Sequence, residues 1–489
     1  MAAAPVVRHF PKKPPEDPNT TITEIVDKMS FGPRQALTCF LASGPFLAEG
    51  MELLLVSLLA KNISLDMHAH IVGYGYLLAA VFVGAFVGNV LGGPLADSIG
   101  RQWPLLAGYF LTILSTNLCS FMNSMDSIAL ARFFVGVGFG LAQPAAVALM
   151  REVLPRKSSW IATLGPMVLF SVGVFFVVLI VAIDDAWLQD FAMREWRLLL
   201  RLASAPLLLM GFASIICVPE SPQFLAESGD YALARDVLRE YAASNGMRDI
   251  DVRFRPPAPP ALPWYPGGRK ALFEGLRTAW VLGLGSLIVN FTYYGVSYVI
   301  PQVLTEEFGN PGRSSGNFAP ATVLLIAFGS ALAALTLAAG VSCGANRKIG
   351  IVVSLGFTFV SSVLFDLTAV ADGTATRRYL LLTAACFGLV TGPAFSVLHF
   401  AQAYSEMRVP GADRNLSLTG AFAASMCLAI AHFGSLVAPI LFDLLLKITG
   451  HFQPFLVLVG TLQVFCAALT LPFLDLRSPT DLGGKLAST

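Results

Sequence analysis

Charge is scarce in this chain of 489 residues: aspartate, glutamate, lysine and arginine make up 13% of it, whereas 55% is hydrophobic. A soluble domain carries about a quarter of its residues charged, so a soluble multidomain enzyme is excluded and a polytopic membrane protein is implied. The net charge of +1 offers no strongly basic surface for nucleic acid. Cysteine is equally uninformative as chemistry. The seven (Cys39, Cys119, Cys217, Cys343, Cys386, Cys427 and Cys466) lie in or beside apolar runs without ligand-like spacing, and read as packing residues, not as disulfides or metal ligands. No apolar run occurs in the first thirty residues, so no cleavable signal peptide is expected at the start. No nucleophile–base pair, metal cluster or phosphate-binding glycine loop is recognisable, so neither an enzyme nor a bound cofactor is expected.

What is present is a series of apolar runs. The first is Leu41–Ala60; others centre near residues 84, 112, 140, 171 and 208, then 287, 330, 360, 388, 429 and 462. About 20 residues at about 1.5 Å each cross a bilayer, so the pattern predicts an all-α protein of twelve transmembrane helices in two six-helix halves. The expected organisation is a segment 1–33, a first half 34–218, a central loop 219–270, a second half 271–473 and a tail 474–489. Two surface helices are expected outside the membrane. Thr21 and Glu24 have capping-box spacing before the stripe Ile22, Ile25, Val26 and Met29, which suits a helix lying on the membrane. In the central loop, Asp230 can cap a helix whose apolar face is Ala234, Val237, Leu238 and Tyr241 and which Gly246 ends.

Basic residues set the orientation. Arg8, Lys12, Lys13, Lys28, Arg34, Arg101, Arg151, Arg156, Lys157, Arg347, Lys348, Arg408 and Arg414 all fall on one side of the twelve spans, with Arg377 and Arg378 as exceptions. The positive-inside rule therefore predicts cytosolic termini. Asn62-Ile63-Ser64 then lies on the outer side as a glycosylation triplet.

Two carboxylates break the rule that apolar spans lack charge. Glu49 and Glu52 sit inside the first run, at an insertion cost of about 3 kcal/mol each. Their three-residue spacing puts them on one helix face, so both must look into protein or a wet cavity. Arg132, at the start of the fourth run, needs an acidic partner for the same reason.

The second run ends in Gly93-Pro94-Leu95-Ala96-Asp97-Ser98-Ile99-Gly100-Arg101. This is similar to the G-x-x-x-D-x-x-G-R signature of the major facilitator superfamily, with Gln102 where a second basic residue is usual. The matching place in the second half, Cys343 to Lys348, keeps Arg347 but lacks the aspartate. Arg132 to Gly138 resembles the R-x-x-x-G-x-G element, and Glu152 to Pro155 has an echo in Glu406 to Pro410 with Arg414 beyond. With Pro219-Glu220-Ser221-Pro222, Trp196-Arg197 and Tyr293-Tyr294-Gly295, the chain over about residues 20 to 475 resembles the sugar-porter and organic-ion branch, most of all synaptic-vesicle-protein-related and nicotinate-permease-like transporters. The resemblance implies a monomeric secondary transporter working by alternating access in a plasma or vesicle membrane. It also implies a latch built from Gly93, Asp97, Gly100, Arg101, Glu152, Glu220, Arg347, Glu406 and Arg414, and a proton-coupling set of Glu49, Glu52 and Arg132 in which Glu49 pairs with Arg132.

Substrate in such a fold binds near the midplane between the halves. The candidates are Gln143, Asn290, Tyr293, Tyr294, His399 and His432, each of which also has a packing role open to it. Adjacent tyrosines point apart, so only one of Tyr293 and Tyr294 faces the cavity. The seventh run lacks the glutamine pair of sugar porters, which favours a small organic ion moved with protons. A facilitative sugar or metabolite uniporter, and a non-transporting receptor or vesicle-sorting protein, remain as alternatives.

Overall fold

The computed structural model describes residues 20–67, 74–184, 196–248, 250–256, 280–281, 283–299, 347–370 and 420–470, and helix is the regular structure found among them. The first span differs from expectation. It is two helices, α2 (Pro33–Ala42) and α3 (Gly44–Asp66), meeting at Ser43. Pro45 is the cause: it lacks an N–H and its ring crowds the carbonyl four residues back, which is that of Leu41. The freed carbonyl accepts a 2.6 Å hydrogen bond from the Tyr109 hydroxyl.

Next come α4 (Tyr74–Ile99), α5 (Gln102–Cys119), α6 (Met125–Val153), α7 (Ile161–Asp184) and α8 (Trp196–Cys217). The tight turn from α4 into α5 runs through Gly100 at φ +103°, a left-handed conformation that glycine adopts without penalty. The later helices are α9 (Pro222–Glu227), α10 (Tyr231–Ser244), α11 (283–299), α12 (Arg347–Val370), α13 (Gly420–Thr449) and α14 (Gln453–Thr470). The spans expected near 330 and 388 lie outside the described residues, as do the proline cluster and the tail. Among the described residues, five helical stretches, Pro33–Leu55, Tyr76–Ile99, Met125–Val153, Trp196–Cys217 and Ser425–Thr449, are long and apolar enough to cross a membrane.

Small residues let the helices close on one another. A Cβ at Gly84, Gly88 or Gly92 of α4 would collide with the α6 backbone at Phe133, Val137 and Leu141, and one at Gly50 of α3 would strike Phe170 of α7. Such stripes bring backbones together where lipid supplies no hydrophobic drive between helices. Gly434 of α13 meets Leu287 and Phe291 of α11 in the same way, and α13 also packs on α4. The N-terminal and C-terminal groups of helices therefore touch through α4 with α13 and, as shown below, through α3 with α11.

One end of the bundle, here called the basic face, carries Arg34, Arg101 and Arg156. Here α1 (Ile22–Lys28) has the expected capping box at Thr21 and Glu24. Its apolar stripe does not lie on the membrane. Ile22, Ile25, Val26 and Met29 are buried in protein, and the segment 250–256 returns to it, with Arg255 N–H donating to the Thr20 carbonyl at 2.8 Å. As expected, α10 is capped by Asp230 and buries Ala234, Val237, Leu238 and Tyr241. It docks on α2 through Arg34 with Glu240 (2.6 Å), Thr38 with Tyr241 (3.3 Å) and Asn245 Nδ2 donating to Gln35 Oε1 (2.9 Å). Burial pushes the Tyr241 hydroxyl's pKa up, and its bond to Thr38 only partly offsets that.

Candidate functional site: a polar ring at mid-span

Glu49 lies midway along the broken first span and is buried. Its carboxylate collects partners from both groups of helices. Gln143 Nε2 of α6 donates to Oε2 at 2.6 Å, the Tyr294 hydroxyl of α11 donates to Oε1, and His432 Nε2 of α13 stands 3.1 Å from Oε1. Asn89 of α4 closes the circuit: its Nδ2 donates to the Ala85 carbonyl at 2.9 Å and lies 3.4 Å from both Gln143 Oε1 and His432 Nδ1. The Ser425 hydroxyl of α13 donates to the Asn89 carbonyl, which ties α4 to α13 at this level.

Aromatic rings wall this polar ring. Phe82 stands edge-on to Tyr294 with centroids 4.8 Å apart, and Phe82 and Phe139 each lie 6.2 Å from the His432 ring. Tyr293 faces Phe170 of α7 at 5.9 Å. Of the adjacent tyrosines, then, Tyr294 reaches the carboxylate and Tyr293 packs sideways.

Arg132 does not pair with Glu49. Its guanidinium binds Glu52, the next carboxylate along the same face of α3, and Thr116 of α5 donates to the other Glu52 oxygen at 2.9 Å. Arg132 is fully buried. Three residues of helix rise about 4.5 Å, which separates two carboxylates that the sequence places on one stripe but cannot allot to partners. The expected pair Glu49–Arg132 is thus replaced by Glu52–Arg132 within the N-terminal helices and Glu49–His432 across the two groups.

The signature residues meet at the basic face. Arg101 Nη2 lies 2.9 Å from Glu152 and 3.5 Å from Asp97, its Nη1 donates to the Ala96 carbonyl at 3.2 Å, and its guanidinium sits 5.0 Å over the Phe224 ring. The backbone N–H groups of Arg101 and Gln102 both donate to the Glu220 carboxylate, at 2.8 and 3.2 Å. Burial opposes the Arg101 charge, but Glu152 and Asp97 outweigh it and hold its pKa above the ordinary arginine value. Gly93 lies buried in α4 and Gly100 makes the turn. Gln102, where a second base is usual, instead donates from Nε2 to the Val218 carbonyl at 2.7 Å.

Other candidates fare differently. Asn290 Nδ2 donates to the Ser286 carbonyl of its own helix at 2.8 Å and does not join the ring. His399, Glu406, Arg414 and the side chain of Arg347 lie outside the described residues. Two features were not anticipated: Asn89, a lone amide in the apolar run of α4 that the rule applied to Glu49 would have found, and Asp443 of α13, which accepts from the Tyr298 hydroxyl at 3.2 and 3.3 Å. Among the described residues no group of three or more His, Cys, Asp or Glu could hold a metal ion.

Residues 58–256 match a family described as sugar (and other) transporter. The chain is 34% identical to a solute carrier family 22 member 15-like protein of Xenopus laevis over 36% of this chain and 34% of that one. It is 29% identical to the synaptic vesicle 2-related protein of Rattus norvegicus over 47% of this chain and 41% of that one. With the major myo-inositol transporter of Bacillus subtilis it shares 26% identity over 52% of this chain and 54% of that one. The matches thus span about a third to a half of these relatives' lengths. The structure superposes on the partially occluded inward open conformation of the xylose transporter XylE from E. coli with a TM-score of 0.69 at 16% identity, covering 90% of this chain and 97% of that one. The chain therefore has the fold of the major facilitator superfamily and is a polytopic membrane protein.

Proposed function

We propose that this protein is a secondary transporter that moves a small organic solute, of the organic-ion or metabolite class, together with protons by alternating access. One observation carries the reading: a mid-membrane carboxylate, Glu49, takes its hydrogen bonds from both groups of helices, Gln143 on one side and Tyr294 and His432 on the other. Rocking one group against the other must break some of these bonds. Proton affinity depends on such bonds and on solvent access, so it differs between the two open states, and a group with different affinities in two states couples its ligand to the change of state. Transport of solutes by relatives such as the myo-inositol and xylose carriers supports the solute half of this reading. The retained signature around Arg101 supports the moving half.

Within this reading the basic face is cytosolic, Glu152 and Glu220 hold the Arg101 turn, and the aromatic walls around Tyr294 and Phe82 receive the solute's apolar part. A buried ring of five polar side chains has no purpose in a passive sorting receptor, which is why the receptor reading ranks second. The test has two stages. Thermal stabilisation of the purified chain by a polyol, a quaternary ammonium ion or an aromatic carboxylate identifies the solute class, because binding to the folded state raises its stability by mass action. In proteoliposomes, Glu49→Gln is then expected to abolish accumulation of that solute driven by a pH gradient while leaving exchange down its own gradient. Undiminished pH-driven accumulation in Glu49→Gln would overturn the reading.

A further inference from the structure

We infer that His432, not Arg132, is the second member of the proton site, and that Glu49 and His432 hold one proton between them that fastens the two groups of helices together at mid-membrane. The inference rests on the coupled-transport reading above and goes past it by naming the partner, its location across the interface and the state that the proton favours.

The imidazole's surroundings decide the matter. His432 Nδ1 lies 2.8 Å from the Leu428 carbonyl oxygen, which can only accept, against 3.4 Å from the Asn89 amide nitrogen. The short contact identifies Nδ1 as the protonated nitrogen, since a bare lone pair at that distance from a carbonyl would be repelled. In a neutral imidazole Nε2 is then an acceptor. Yet Nε2 faces Glu49 Oε1 at 3.1 Å, so two lone pairs oppose each other unless one further proton lies between them. With that proton the pair is an imidazolium–carboxylate or a neutral acid–base hydrogen bond, attractive either way. Without it the contact is repulsive, and among the described residues the two groups keep at this level only the bonds of Tyr294 to Glu49 and of Ser425 to the Asn89 carbonyl.

The groups that surround this pair are neutral or already paired with one another. From α11 the group facing Glu49 is the Tyr294 hydroxyl, from α6 the neutral Gln143, and from α4 the neutral Asn89 and Phe82. The nearest charges on the same helices, Glu52 and Arg132, neutralise each other. Among the described residues, therefore, no other cation faces Glu49.

The experiment needs no knowledge of the solute. Spin labels are attached to p-acetylphenylalanine introduced into the full chain in lipid nanodiscs, in place of exposed residues from the two groups: Trp103 with Leu284 near one end, and Phe121 with Ile448 near the other. Raising the pH from about 5 to about 9, across the usual histidine range, is expected to increase several-fold the fraction with wide separation at one end. His432→Gln, which keeps a neutral donor, and Glu49→Gln are each expected to abolish that dependence while still unfolding cooperatively. In wild type, a nitrogen-15 spectrum of the imidazole assigned through His432→Gln should show both ring nitrogens protonated or an Nδ1–H tautomer at low pH, never Nε2–H alone. Persistence of the pH-dependent separation in His432→Gln but not in Glu49→Gln would overturn the inference and leave Glu49 as the coupling acid. Persistence in both would sink the coupled-transport reading with it, and an Nε2–H tautomer would refute the proton placement directly.

Discussion

Two carboxylates three residues apart on one helix have been given opposite employment by their neighbours. Glu52 is locked to Arg132 and Thr116 inside the N-terminal helices, whereas Glu49 reaches across to α11 and α13. In the proposed cycle the first contact need not change when the groups move; the second must. Removing one member of a buried ion pair strands the other's charge and typically costs about 3–5 kcal/mol, while replacing both by apolar residues is often neutral or stabilising. Arg132→Ala is therefore expected to lower the thermal midpoint in detergent sharply, and Arg132→Met combined with Glu52→Leu to recover most of it. Two guanidinium nitrogens of Arg132, Nε and Nη2, find no acceptor among the described residues, so the pair's desolvation is incompletely offset, which favours recovery in the double variant. Equal losses in the single and double variants would show that the two residues do not act as a pair.

Among the elements, α10 carries its own test. It is held on α2 by Thr38 with Tyr241 and by Arg34 with Glu240. Glu240 is half exposed, so its ion pair adds little, within the usual 0 to about 1 kcal/mol of surface pairs. Tyr241 is buried, and burial raises its pKa relative to the unfolded chain. A group whose pKa is raised on folding contributes stability that is complete below its unfolded value, about 10 for tyrosine, and is lost as pH climbs toward the folded one. Hydrogen exchange of α10 amides should accordingly accelerate above about pH 10 beyond the intrinsic base-catalysed rise, and Tyr241→Phe should remove that excess. An unchanged excess in the phenylalanine variant would assign the effect to another group. The sequence marked this helix well because its cap, stripe and terminating glycine are all local. It marked α1 only in part: the stripe was plain, but whether lipid or the returning segment 250–256 covers it is a long-range fact.

For the molecule as a whole, the proposed transport requires that the contacts between the N-terminal and C-terminal helices be breakable. The pair Phe86 of α4 and Phe433 of α13, with ring centroids 6.3 Å apart, lies on that contact beside Asn89 and His432. Joining Phe86→Cys to Phe433→Cys with a short bismaleimide should reduce uptake of the stabilising solute to background, whereas the same double variant without the linker should keep most of it. Uptake that survives full cross-linking would mean that α4 and α13 do not separate during the cycle. The apolar runs and the glycine-and-charge signature foretold the all-α membrane fold because each is written in contiguous residues.

By itself the sequence determined that the chain spans a membrane many times as helices, that Gly100 and Arg101 form a charged turn, and that Glu49, Glu52 and Arg132 must face inward. Cost forces those conclusions, since neither an unpaired charge in hydrocarbon nor an open backbone is tolerable. Only the tertiary structure decided which acid Arg132 takes, that Pro45 breaks the first span and frees Leu41 for Tyr109, and that Asn89, Gln143, Tyr294 and His432 converge on Glu49. Those choices depend on helix rotation and register between segments up to hundreds of residues apart, and differences of one helical turn there are invisible to any local pattern.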